Sequence, residues 1–184
     1  MNCATAAETS NSARKNGNSG ASDGLIPKTD DPARNRNGAK ERVMNMQYKR
    51  YGETYLVRID LDEEIMQNLK TLCEQEDIRL AHVEAIGASN HAVIGVYDLE
   101  EQAYHQEVLD GFMEIAGLTG NVTRKDGEVY LHLHGTLADQ HNVVHGGHVI
   151  EMKVGATCEM FVTVLPGEVN RVRDEKLGIN LISL

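Results

Sequence analysis

One stretch of this chain carries a helical period, and that single helix constrains the fold more than any other feature. In "DLDEEIMQNLKTLCEQED" (60–77), Ile65, Met66, Leu69, Leu72 and Cys73 recur at three- and four-residue spacing. Such spacing lines them along one stripe of an α-helix. Asp60 or Asp62 stands where a capping side chain would accept the first free N–H groups, and Glu63 and Glu64 suit the positive end of the helix dipole. The other regular segments read as strands: "QYKRYGETYLVRID", "AHVEAIGAS", "HAVIGVYD", "AYHQEVLDG", "FMEIAGLTGNVT", "EVYLHLHGTLA", "HVIEMKVGATCEMFVTVL" and "INLISL". Gly87-Ala88-Ser89-Asn90 serves as a connector between two of them, and Lys125-Asp126-Gly127 is a hairpin-type turn. One helix among many sequential strands predicts an α+β domain, with a largely antiparallel sheet covered on one face by that helix.

The regular pattern begins only at Met46. Residues 1–45 are rich in Asn, Ser, Gly and Ala, and Leu25-Ile26 is the sole apolar pair before Val43. A segment so poor in apolar surface cannot offset the entropy of ordering, so 1–45 is expected to be a disordered low-complexity tail and 46–184 the folded domain. The first Leu is Leu25, so the N-terminus lacks the apolar core of a secretory signal, although its Ala/Ser/Arg flavour touches that of a transit peptide. No run approaches eighteen apolar residues, so no transmembrane helix is expected. Cys3, Cys73 and Cys158 are odd in number and form no C-x-x-C, which points to a reducing, cytoplasmic setting without a disulfide framework.

Charge divides at the same boundary. Of the 18 Lys/Arg and 28 Asp/Glu, seven and five precede Met46, which leaves 11 and 23 in the domain, a net of −12. Nucleic-acid affinity rests largely on Lys/Arg displacing counterions, so direct DNA binding by such a domain is disfavoured. It would need basic residues gathered on one face, with Lys49, Arg50 and Arg58, or Arg171, Arg173 and Lys176, as the candidates.

Chemistry concentrates in "YLHLHGTLADQHNVVHGGHV" (130–149), which holds five of the eight histidines. On a strand, Val129, Leu131 and Leu133 face one way while Tyr130, His132 and His134 face the other. Two imidazoles two residues apart are about 6.6 Å apart along the strand, close enough for their nitrogens to converge on one ion at about 2.0–2.1 Å. His148 is the natural third ligand, because 135–145 is long enough to turn the chain back and Gly146-Gly147 permits close backbone approach. His141 and His145 sit in the expected turn, with His145 also a candidate to back the ligands or line their pocket, and Asp139 is either a turn residue or a partner for a ligating imidazole. His82, His91 and His105 read as ordinary surface or hydrogen-bonded histidines. The spacing also grazes the cupin pattern G-x5-H-x-H-x3-4-E-x6-G. Here, however, Gly127 precedes His132 by too few residues and Asp139 replaces the Glu.

"GFMEIAGLTGNV" (111–122), then "HLHGTLAD" and "GGHV", resembles the plants and prokaryotes conserved (PPC) domain. "IGASNHAVIGVYD" and "GINLISL" fit the same layout, so the resemblance runs from about 46 to 184. It implies an α+β domain with a mainly antiparallel sheet of about seven strands packed with one main helix, assembling as a homotrimer. It also implies a bound metal, zinc, on His132, His134 and His148, with Glu114 near a subunit contact or the same pocket. The plant members carry Arg-Gly-Arg-Pro AT-hooks, which "ARNRNGAK" does not match.

Three functions follow as expectations: a metal-binding trimer of regulatory role, a DNA-associated protein, or a small-molecule metalloenzyme. In the last, a hydrolase or lyase, three neutral histidines leave zinc an open position to activate water. Its general base is not evident, and Glu114, Asp139 and Glu151 are candidates by neighbourhood alone.

Overall fold

The computed structural model describes residues 46–184; the expected tail over 1–45, with Cys3 and "ARNRNGAK", lies outside the described residues. The elements are β1 (Gln47–Tyr51), β2 (Thr54–Asp60), α1 (Ile65–Gln75), β3 (Ala81–Asp98), β4 (Ala103–Lys125), β5 (Glu128–Ala138), β6 (Val144–Val164), β7 (Asn170–Asp174) and β8 (Ile179–Ser183). The fold is α+β as expected, but with eight strands in place of about seven. Against the segments read from the sequence, two strands are gained, and two are lost where pairs of segments run on as single strands. "QYKRYGETYLVRID" is a hairpin folded at Gly52, and β7 lies in "NRVRD", too short to show a clear alternation.

The expected breaks inside β3 and β4 are not breaks. β3 runs through Gly87–Asn90, with register shifts against its neighbours between Ala85 and Gly87 and between Ser89 and His91. Such bulges bend a strand without ending it. β4 likewise continues past Gly111 to Lys125, where Asp126 and Gly127, both at positive φ, make the foreseen tight turn into β5.

The sheet runs β1-β2-β6-β3-β4-β7-β8, and β5 bonds to β4 on one side and β6 on the other. Since β3 also bonds to both β4 and β6, these four strands form a closed circuit with few free edges. All pairings are antiparallel except a single parallel contact of β7 with β4.

The helical stripe works as its spacing predicts: Ile65, Leu69, Leu72 and Cys73 are fully buried and join a core with Leu118, Leu133, Leu137, Met152 and Met160. Burial pushes the Cys73 and Cys158 thiols up to about 12, so both act as small apolar groups. The helix cap differs from the expectation. Glu64, not Asp60 or Asp62, takes the N-cap, and its carboxylate accepts the Met66 and Gln67 N–H groups. It also accepts the Met152 N–H of β6 at 3.1 Å, so this cap ties helix to sheet. Asp60 pairs with Arg58, and Asp62 accepts from Asn90.

Candidate metal centre

The β5–β6 hairpin places the histidines. Its strands pair without a register shift from His134↔His148 to Ala138↔Val144, so His148 stands directly across from His134 on the same face. His132 shares that face two residues away, while Leu133 and Leu137 point the other way into the core. His148 is also paired with Gly95 of β3, so it marks the seam where the four-strand circuit closes. Close approach at that seam depends on Gly147, where an added Cβ would stand 2.9 Å from the Gly95 carbonyl oxygen.

The three rings cluster, with centroids 5.2 Å apart for His132–His134 and His132–His148, and 5.5 Å for His134–His148. One nitrogen from each lies within 4.8 Å of the others. His132 Nε2 and His134 Nε2 are 3.3 Å apart. Nitrogens bound tetrahedrally at about 2.0–2.1 Å would be about 3.3–3.4 Å apart. Two of the three donors therefore already stand at coordination spacing. His148 Nδ1 is buried with no hydrogen-bond partner, an unmet demand that ligation of this ring, or a polar guest, would relieve.

The surroundings of His132 and His148 favour the neutral ring, the form that ligates metal. Burial, reinforced by the nearby His132 and His134, lowers the His148 pKa to about 4. Burial, then the charge of Arg171, lowers that of His132. Tyr104 stacks on His148 at 4.9 Å between centroids and fixes that ring's plane.

Sequence reasoning missed the group that flanks the triad. Arg171, on β7 and only 7% exposed, donates from Nε to Thr123 Oγ1, from Nη1 to the Asn180 carbonyl and from Nη2 to Asn121 Oδ1, each at 2.9 Å. A further Nη2 contact reaches His132 Nδ1 at 3.4 Å, and the guanidinium lies over the Tyr130 ring. Far from joining a basic surface patch with Arg173 and Lys176, Arg171 lines a cavity of about 170 Å³ with His132, His148, Tyr97, Tyr104, Tyr130, Ile179 and Asn180. No motif announces it, because its role depends on a short strand returning to the histidine face from 37 residues beyond His134.

The remaining candidates do not join the triad. Glu114 is exposed on β4, between Ala88 and Ala138. Asp139 is a turn residue whose Oδ1 accepts the His141 and Val143 N–H groups, which hold its carboxyl below the usual range. His145, three residues from His148 along an unshifted strand, belongs to the opposite face. There it lies 3.8 Å from Asp139 and 3.9 Å from Glu107 and lines a separate cavity of about 550 Å³. Glu151 pairs with Lys153, and His91 with Asp110.

An antiparallel α+β domain with three histidines clustered on one face at a strand seam has known counterparts. The chain belongs to the Plants and Prokaryotes Conserved (PCC) domain family, which matches residues 46–166. It is similar to a protein from Archaeoglobus fulgidus described as metal-containing, at 36% identity and a TM-score of 0.67, covering 74% of this chain and 96% of that one. A plant- and prokaryote-conserved protein from Pyrococcus horikoshii aligns at 30% identity and a TM-score of 0.66, covering 76% and 94%. A protein from Ralstonia eutropha JMP134 with a provisional DNA-binding designation aligns at 30% identity and a TM-score of 0.71, covering 74% and 95%. Among curated proteins no sequence match is found.

Proposed function

We propose that the chain is a homotrimeric metal-binding protein of regulatory role, in which His132, His134 and His148 hold one zinc ion. The observation that carries this reading is the 3.3 Å spacing of the His132 and His134 Nε2 atoms, beside a buried His148 with an unpartnered ring nitrogen. The description of the Archaeoglobus relative as metal-containing supports it. Imidazole donors also suit copper, iron and nickel, so the test identifies the element. Protein purified without an affinity tag is expected to hold close to one zinc per chain by elemental analysis, and His132→Ala to lose most of it. Metal-free wild type, or unchanged metal in the variant, refutes the reading.

The trimer is supported by apolar surface in the described part. Phe161, Ile86 and Leu56 are 51%, 59% and 38% exposed on adjoining strands, and Phe161 is the register partner of Leu56. A cytoplasmic setting suits the free, buried thiols Cys73 and Cys158. No helix among the described residues is long and apolar enough to cross a membrane.

A DNA-associated role has the name of the Ralstonia relative in its favour and the electrostatics against it. Arg50, Arg58, Arg79, Arg124 and Arg173 each stand 2.9–3.8 Å from a carboxylate, and Arg171 faces inward. Little free cationic surface remains for phosphates. Binding to duplex DNA is expected to be negligible at low salt; tight binding that weakens steeply with added salt would reverse this conclusion. The enzyme reading is weaker still, because Glu114, Asp139 and Glu151 are all engaged or placed elsewhere.

A further inference from the structure

The described arginines divide sharply. Five lie within salt-bridge distance of a carboxylate, while Arg171, the most buried of the six, has none. Its partners Thr123, Asn180, Asn121 and His132 are all neutral, and no Asp or Glu lines the cavity it faces. A buried cation without a counter-charge is costly and calls for an anion from outside the chain.

One further observation points into the same cavity. The contact between Arg171 Nη2 and His132 Nδ1 is satisfied only while Nδ1 is an acceptor. If His132 gives its Nε2 lone pair to a metal, its proton moves to Nδ1 and faces a guanidinium N–H, so that two donors confront each other. An acceptor beside them, within reach of both N–H groups, resolves the conflict. This last step rests on the metal reading, whereas the missing counter-charge does not.

We propose that the cavity beside the histidines is a binding site for a small carboxylate, anchored by Arg171 and walled by Tyr97, Tyr104, Tyr130 and Ile179. Four of the five guanidinium N–H groups are engaged within the chain, so a carboxylate takes the remaining Nη1 N–H together with the uncompensated positive charge, and the tyrosine rings and Ile179 leave room for a short carbon chain. A volume of about 170 Å³ sets the size of the guest. Water occupies about 30 Å³ per molecule in the liquid, so the space suits a ligand of roughly five or six heavy atoms.

Calorimetric titration of the untagged full chain with sodium acetate and with inorganic phosphate, at fixed ionic strength, tests this. Acetate is expected to bind saturably at one site per chain and more tightly than phosphate. Arg171→Gln should weaken acetate at least tenfold, and so should Ile179→Trp, which narrows the cavity while leaving Arg171 and the histidines in the chain. Zinc content, measured on every sample, should stay at the wild-type level. Should Arg171→Gln fail to fold, Ile179→Trp and transferred NOEs from the acetate methyl to tyrosine ring protons in wild type carry the decision. Non-saturating acetate, acetate affinity unchanged in a folded variant (as binding to the metal alone would give), or tighter phosphate binding overturns the proposal. Absence of zinc with Arg171-dependent acetate binding intact would instead refute the metal reading and uphold this one.

Discussion

At the scale of single residues, the glycine next to His148 matters as much as the imidazole. Gly147→Ala would drive a methyl group to 2.9 Å from the Gly95 oxygen and push β6 away from β3 at the position that aims His148. It is expected to cost about 1–3 kcal/mol in urea denaturation and to lower the metal retained per chain. A stable variant with full metal content would show that the seam is more yielding than its geometry implies. The pairing of His132 with His134 was legible because strand alternation is a local property, and His148 followed from a glycine pair and a plausible return distance. Arg171 was not legible. A buried arginine has no local signature, and its partners Asn121, Thr123, His132 and Asn180 lie on three different strands. Asp139 and His145 looked eligible for the opposite reason: they are near in sequence, yet a turn and an odd offset of three send them away from the triad.

At the scale of elements, helix α1 is held at both ends by glutamates. Glu64→Ala removes an N-cap that also reaches Met152 of β6, so the loss should be about 1–2 kcal/mol by chemical denaturation. At the other end Glu76 accepts the hydroxyls of Tyr48 at 2.7 Å and Tyr55 at 2.9 Å, and these bonds hold its carboxyl below the ordinary range. A depressed carboxyl pKa means that the unfolded chain takes up the proton first. The stabilisation is therefore complete above the ordinary Glu pKa of about 4.3 and fades as pH falls through the lowered folded value. Tyr48→Phe should flatten that acid limb of the stability–pH curve while leaving the neutral region less affected; an unchanged limb would rule out the assignment. The helix was readable from five apolar residues, whereas its cap was not, because Asp60, Asp62 and Glu64 are all chemically able to cap. The contact with β6 that favours Glu64 is tertiary. Likewise, strands of 18 and 23 residues looked like pairs of shorter ones, since glycine within a bulge and glycine within a turn are alike in sequence.

At the scale of the whole domain, closing β3, β4, β5 and β6 into a circuit leaves apolar side chains such as Phe161 on the outside with no cover among the described residues. If these are subunit contacts, Phe161→Glu should shift the protein from trimer to monomer in light scattering while the circular dichroism spectrum is preserved; a persistent trimer would place the interface elsewhere. The circuit also makes the histidine cluster a test of alignment. Sliding β5 against β6 by one residue would turn His148 toward the core and strand the other two rings, because neighbouring positions on a strand face opposite ways. A cation shared by all three would thus favour only correctly matched hairpins and act as a proofreader of assembly.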